Sequence, residues 1–441
     1  MKKERLTVQK GDGMNTGEEL IQFIKKSPTA FHAAETARQT LEAAGFSGLR
    51  EGSSWENLAP GGYYVTRNSS SLIAFRIPEG GANGFQLGAA HSDSPTFRVK
   101  AKAEWESPDG YTRLNVEPYG GGIFGSWVDR PLSVAGRLVV RTEFGIRSQL
   151  VNVDRDLLMI PQMAIHMNRE VNKGYAWNAQ TDMAPVLGSR KAAGTFRCQI
   201  AEAAGVQAQD ILSMDLFLYC RTPGAIWGAD GEFVSAPRLD DLQCAFALLH
   251  GFLQAEQPKK IPVYALFDNE EVGSLTKQGA DSTFLEDVLR RLAGDKLPRM
   301  LANSFLISAD NAHAVHPAHP EVSDPLNRVY MNEGIVIKFN GNQKYTTDGI
   351  SEALFRLMCE RAGVACQTYT NRSDMAGGST LGNISNGHIS VNAADIGLAQ
   401  LAMHSCYETA GVKDTEDLIH VMKEFYNGGW EEIQAGEYTL L

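Results

Sequence analysis

Two adjacent glutamates, Glu270 and Glu271, follow the apolar run 261–267 in Phe267-Asp268-Asn269-Glu270-Glu271-Val272-Gly273-Ser274. Carboxylates paired at a strand end can divide two tasks: one holds a cation, and its unliganded neighbour takes a proton from water that the cation has acidified. Alone, the pair reads as a solvated acidic turn. Other candidates fall at comparable places. His91 and Asp93 follow an apolar run ending at Ala90, Asp240 and Asp241 precede a helical stretch, Asp310 follows Phe305-Leu306-Ile307-Ser308, and His404 lies within 398–405. Each has an ordinary alternative. Asp240 or Asp241 could cap a helix, Asp310 a turn, His91 and Asp93 could form a surface turn, and His404 could be a buried imidazole bonded to a carbonyl. Together, two histidines and three carboxylate positions suit a pair of divalent metal ions sharing one bridging carboxylate. Imidazole among the donors favours zinc, cobalt or manganese over calcium.

Bringing such residues together requires a sheet whose strand ends converge, and open α/β sheets carry their chemistry at those ends. Periodicity predicts helices over 17–26 and 29–44 and strands over 72–76 and 85–90, the strands separated by the turn-rich 78–84. From 98 to 236 the texture changes to short alternating segments such as 111–116, 132–141 and 211–220, divided by Gly- and Pro-containing turns. This is the pattern of a β-rich insertion. Helix and strand then alternate again: helix 242–254, strands 261–267, 305–308 and 334–339, helix 350–362, strands 366–370 and 389–393, and a last helix 414–426. The expected class is α/β, with a discontinuous catalytic unit at 1–97 and 237–441 and an inserted β-rich unit at 98–236.

Composition narrows the function. The chain has 441 residues, 43% apolar and 21% charged, which argues against disorder and allows two domains. No run approaches the roughly 18 uninterrupted apolar residues of a membrane span. The start, Met1-Lys2-Lys3-Glu4-Arg5, is basic but leads into Lys10-Gly11-Asp12-Gly13 rather than an apolar signal stretch, so cytoplasmic residence is expected. A net charge of −11 without a basic stripe argues against a nucleic-acid partner. The six cysteines form no CxxC pair, which predicts reduced, mostly buried thiols.

Ordered motifs run through nearly the whole chain. They include Ala90-His91-Ser92-Asp93-Ser94-Pro95, Tyr119-Gly120-Gly121-Gly122, Trp127-Val128-Asp129-Arg130-Pro131, Ile160-Pro161-Gln162-Met163-Ala164-Ile165-His166 and Pro237-Arg238-Leu239-Asp240-Asp241-Leu242. Further along come the Glu270-Glu271 motif, Ser308-Ala309-Asp310-Asn311-Ala312-His313, Arg372-Ser373-Asp374-Met375, Gly378-Ser379-Thr380 and Gln400-Leu401-Ala402-Met403-His404-Ser405. On these motifs the chain resembles the aspartyl aminopeptidase family, the dinuclear-metal exopeptidases that include yeast vacuolar aminopeptidase I.

The resemblance implies a three-layer αβα zinc-exopeptidase-like catalytic domain with a mixed central sheet. It implies two divalent metal ions, most readily zinc, with Asp240 bridging both, His91 and Asp310 completing one position, and Glu271 and His404 completing the other. Glu270 is then left as general base, Asp93 orients His91 from behind, and the Asp240–Asp241 peptide bond is cis. Tyr119-Gly120-Gly121-Gly122 lacks the Lys-Ser/Thr of a P-loop and is expected to be flexible backbone near an interface. The family also implies that His166 of the insertion reaches the active site of a neighbouring subunit, that Lys338 meets an acidic substrate side chain, and that twelve chains form a cage admitting short peptides with a free N-terminus. Departures at Ala318-His319-Pro320-Glu321 and Ala376-Gly377 touch the substrate rim. Two rival readings remain open: an enzyme of the same architecture acting on neutral N-termini or as a deacylase, and an inactive metal-stabilised scaffold.

Overall fold

In the computed structural model, residues 14–441 are described except 107, 376 and 379. The basic start at Met1-Lys2-Lys3-Glu4-Arg5, Ala376, and Ser379 of the Gly378-Ser379-Thr380 motif lie outside the described residues. Nine strands form a mixed sheet in the order Ser47–Leu49, Gly61–Arg67, Ser71–Ile77, Ile261–Phe267, Phe85–His91, Phe305–Ala309, Asn392–Gly397, Ile335–Phe339 and Cys366–Thr370. At its centre Phe85–His91 pairs in parallel with both Ile261–Phe267 and Phe305–Ala309.

Strand alternation explains why the sheet is buried on both faces. Leu72, Ala74, Ala90, Tyr264, Leu266, Phe305 and Ile307 point into one core, which is covered by the helices Thr16–Lys26, Ala30–Ala43, Leu239–Leu253, Gly349–Ala362 and Val412–Asn427. Their neighbours Ile73, Phe75, Leu87, Ala89, Val263, Ala265, Phe267 and Leu306 enter a second core, under the helices Phe284–Ala293, Leu297–Ala302 and Leu381–Ile389. Period-two alternation between two apolar layers yields strands that are apolar for most of their length, and the class is the expected layered α/β one.

A second, six-stranded sheet runs Gly145–Asn152, Leu132–Thr142, Ile211–Cys220, Thr96–Glu106, Tyr111–Tyr119, Val186–Ser189, and has its own core around Phe97, Leu114, Trp127, Val134 and Leu216. A third sheet joins Ala225–Trp227 and Phe233–Ala236 to Glu408–Gly411, Ala399–Leu401 and Ala312–His313. The end of the 98–236 stretch therefore pairs with the chain that returns near His404. No helix among the described residues is long and apolar enough to cross a membrane.

Most predicted elements lie where periodicity put them, and Ile261–Phe267, Ile211–Cys220 and Cys366–Thr370 match residue for residue. The strand expected over 389–393 is a correction. Ile389 ends a helix, Leu381–Ile389, and the strand begins at Asn392. That helix contains Gly382, Asn383, Asn386 and Gly387, all poor helix formers, and its place is held by burying Leu381 and Ile389 in the second core. The helices Phe196–Ala204 and Phe284–Ala293 and the hairpin Trp430–Gln434 with Glu437–Leu440 add to the expected set.

Candidate metal centre

Three of the candidate groups come from the carboxyl edge of the central parallel strands. His91 is the last residue of its strand, in register with Phe267, so the turn carrying Glu270 and Glu271 emerges beside it. Asp310 follows the third strand, next to Ala309. Asn269, at φ +62, makes the sharp left-handed step that swings Glu270 and Glu271 back over the strand end, a conformation asparagine tolerates better than most residues. The Asp240–Asp241 peptide bond is cis. Asp240 (φ −81, ψ 108) and Asp241 (φ −116, ψ 21) depart from helical dihedrals, so the stretch Leu239–Leu253 is kinked at this pair and its regular helix begins after it. His404, at φ +67, sits in the turn after Ala399–Leu401.

The five expected ligands converge. Asp240 Oδ1 lies 3.4 Å from His91 Nε2, and Asp240 Oδ2 lies 3.5 Å from His404 Nε2. Asp310 Oδ1 is 3.9 Å from His91 Nε2, and Glu271 Oε2 is 3.4 Å from His404 Nε2. Two groups of donors, His91–Asp240–Asp310 and Asp240–Glu271–His404, therefore share Asp240. Glu270 Oε2 is 3.9 Å from His91 Nε2, and its side chain is 14% exposed against 4% for Glu271. A third grouping of His91, Glu270 and Glu271 is equally compact.

Asp240 Oδ1 and Glu271 Oε1 are buried with no hydrogen-bond partner. Uncompensated buried carboxylate oxygens are costly, and a cation facing them removes the cost. With two imidazoles and several carboxylates as donors, the residues present fit divalent zinc or a similar ion. The electrostatics agree. Burial pushes Glu270 up to about 8, and burial together with the Asp240 charge carries Glu271 well above its ordinary value. Burial opposes a charge on His91, yet Asp240, Asp310 and Asp93 outweigh it and hold the imidazole well above 6.5. Burial likewise works against ionised Asp240, but His404 and His91 more than offset it and hold Asp240 below the carboxylate range. By itself the protein gathers protons here, and a divalent cation would displace them.

Behind the ligands stand residues that fix their directions. His91 Nδ1 lies 3.0 Å from the Asp93 carbonyl oxygen and 3.5 Å from its carboxylate, so the backbone of Asp93 is the nearer partner. The Asp93 carboxylate instead accepts from the backbone N–H groups of Glu270 and Glu271, at 3.1 and 3.2 Å. Asp241 Oδ2 accepts from His91 N at 3.1 Å. The sequence pattern did not point to Glu408. It is buried, and its two oxygens accept from Asp240 N at 3.1 Å and His404 N at 2.8 Å. The available signal was a lone acid four residues after His404, at the start of a short strand.

The site opens into a cavity of about 290 Å³ whose walls include His313, Lys338, Tyr345, Tyr369 and Thr380. Lys338 is buried rather than facing outward. Its Nζ donates to Asn311 O at 2.8 Å and lies 5.5 Å from the centre of the Tyr345 ring. His166 is not among the residues lining this cavity. It occupies an exposed turn flanked by Met163, Ile165 and Met167, the last 79% exposed. Tyr119-Gly120-Gly121-Gly122 is no loose segment, because Gly121 O faces His404 Nδ1 at 3.1 Å.

A family model described as aminopeptidase I zinc metalloprotease (M18) matches residues 23–426. The chain is 44% identical over 423 residues to the probable M18 family aminopeptidase 2 of Clostridium novyi (strain NT), covering 93% of this chain and 98% of that one. Among solved structures, Ape4 in its complex with Nbr1 superposes with a TM-score of 0.91 at 33% identity, covering 93% of this chain and 85% of that one. The mApe1 dodecamer of S. cerevisiae superposes at 0.82 with 28% identity, covering 93% and 96%.

Proposed function

The chain belongs to the M18 family of zinc metallo-aminopeptidases, and on that premise we propose that it removes N-terminal Asp or Glu from short peptides at a dinuclear centre, with Glu270 as general base. The observation carrying this reading is the division of Asp240, which turns one carboxylate oxygen to His91 and the other to His404. His91 and Asp310 would hold one ion, Glu271 and His404 the other, with Asp240 common to both. Bound there, two divalent cations supply Lewis acidity and lower the pKa of water.

Both glutamates border the cavity, and Glu270, the more exposed of the two at 14% against 4%, can take the proton of the attacking water and return it to the leaving amine. The compact His91–Glu270–Glu271 group favours a second reading, in which Glu270 is itself a ligand. Replacing Glu270 by Gln separates the two, because a base can be neutralised without losing metal whereas a ligand cannot. For substrate preference, Lys338 contributes a buried cation to the cavity wall, as an acidic side chain requires. Turnover of Asp-, Glu- and Leu-p-nitroanilide by zinc-, cobalt- or manganese-loaded protein tests the reading. Preference for Leu would leave an aminopeptidase of neutral specificity, and no turnover at all would favour the scaffold.

We further read residues 1–97 and 237–441 as the catalytic unit and 98–236 as an insertion serving assembly and substrate access. The exposed apolar group Met159, Met163, Ile165 and Met167 beside His166 supports burial of that turn by another copy of the chain. A dodecamer is the assembly proposed, with His166 then reaching a neighbour's substrate, and light scattering after size exclusion measures it.

A further inference from the structure

The strand Tyr111–Tyr119 leaves the six-stranded sheet and runs into a turn, residues 119–123, that crosses to the other sheets. Its contacts there are directional. Tyr119 Oη donates to Asp93 Oδ2 at 2.7 Å and accepts from Asn269 Nδ2 at 2.8 Å. Through Asp93 it thereby braces the backbone N–H groups of Glu270 and Glu271. Two residues on, Gly121 O accepts from His404 Nδ1, and Ile123 N donates to His404 O at 2.9 Å. Between them Gly120 adopts φ +74, and a Cβ at that position would lie 3.1 Å from Glu271 Cβ and 3.4 Å from Pro95 Cα. The turn is thus seated against Glu271 and His404, and at Gly120 the positive φ and the tight approach to Glu271 together favour glycine.

A carbonyl that accepts from Nδ1–H fixes the imidazole tautomer and leaves Nε2 as the ligating nitrogen, the function that outer partners of metal-bound histidines serve. Both groups the turn holds directly, Glu271 and His404, belong to the same half of the site. The other half meets the turn only at one remove, through Asp93, whose backbone carbonyl at 3.0 Å is a nearer partner of His91 Nδ1 than the carboxylate that Tyr119 holds; His91 N is held by Asp241, and Asp310 by its place after the central strand and its approach to Lys338.

We infer that residues 119–123 are the positioning element of the Glu271–His404 metal position, so that the seating of the six-stranded sheet sets metal affinity in that half of the site alone. Tyr119 acts through Asp93 and the Gly121 carbonyl through His404, and neither residue lines the cavity. The inference rests on the two-metal reading above.

It is tested by zinc titration of metal-free wild type, Tyr119→Phe and Gly120→Ala, followed calorimetrically, with circular dichroism and light scattering to check fold and assembly. Tyr119→Phe keeps the ring and loses only the hydroxyl, which makes it the variant that folds if Gly120→Ala does not. The expected result is two zinc ions per chain in wild type, and in the variants one binding step weakened about 10- to 100-fold while the other is unchanged. With zinc saturating, kcat recovers and KM is unmoved. Equal weakening of both steps, or no weakening, overturns the inference while leaving the dinuclear site intact. Wild type that binds one zinc or none overturns both.

Discussion

Lys338 Nζ lies 3.5 Å from Asp310 Oδ2, both at the wall of the same cavity. Burial works to lower Lys338, but the charges of Asp310 first, then Tyr345 and Asp395, together outweigh it and raise the lysine above its ordinary value. The lysine therefore lies beside a candidate metal ligand and borders the cavity, where the proposed function would have it meet an acidic substrate side chain. Lys338→Met removes the charge at similar length. Because a hydrogen bond to a charged group contributes about 1.5–3 kcal/mol, kcat/KM for Glu-p-nitroanilide is expected to fall about 10- to 100-fold more than for Leu-p-nitroanilide. An equal fall for both would make Lys338 a support for Asp310 and nothing more.

Glu270→Gln preserves shape and removes the base. General acid–base groups contribute about 10²–10⁴ in rate, so kcat should drop by roughly that factor while metal content, measured by elemental analysis, stays at the wild-type value. Loss of metal in this variant would instead make Glu270 a ligand, as the His91–Glu270–Glu271 grouping permits.

The buried charges set a pH dependence of known sign. Burial carries Glu270 and Glu408 up to about 8 from 4.5. In the window from about 4.5 to 8 the folded chain therefore keeps protons that the unfolded chain has released, and stability falls as pH rises. His404 is raised to about 9 from 6.5, because Asp240 outweighs the burial that would lower it. Its contribution is complete below 6.5 and is lost as pH rises towards 9, in the same direction. Metal-free protein should thus melt at lower temperature at pH 8.5 than at pH 5.5. Zinc competes with these protons, so the rise in Tm that it gives should grow over the same interval. Thermal melts with chelator and with zinc at both pH values measure this, and a pH-independent zinc effect would count against a proton-loaded ligand cluster.

Which parts of this site could be read from sequence depended on the range of the interaction that defines them. His91 ends, and Glu270 and Asp310 follow, strands covered on both faces, whose largely apolar runs mark their own ends. Glu408 was invisible because its meaning lies in two backbone N–H groups, those of Asp240, 168 residues away, and His404. Locally it is an acid at the start of a four-residue strand. Lys338 is a charge inside an apolar strand, which announces something unusual, but its partner Asn311 O is supplied by a neighbouring chain segment. Tyr119-Gly120-Gly121-Gly122 reads as loose backbone because glycine signals freedom, whereas here Gly120 allows close approach to Glu271 and the Gly121 carbonyl accepts from His404. The helix Leu381–Ile389 was missed because its own residues disfavour it and only packing against the second core decides.

Glu408 gives the sharpest test of how the two halves of the site are joined. One oxygen accepts from the backbone of the shared aspartate and the other from the backbone of His404, so this carboxylate sets the spacing between them. In Glu408→Gln one of those N–H groups meets an amide NH2 in place of an oxygen and is left unsatisfied in a buried place, which costs about 1–3 kcal/mol. The loss should appear as a lower Tm of the metal-free protein and, because Asp240 takes part in both groups of donors, as weaker binding of both zinc ions, about 10- to 100-fold. That pattern differs from the one expected of Tyr119→Phe, where a single step weakens. If Glu408→Gln weakens one step only, Asp240 is held chiefly by its own chain, through the burial of Leu239 and Leu242 on either side, and Glu408 is a support for His404 alone.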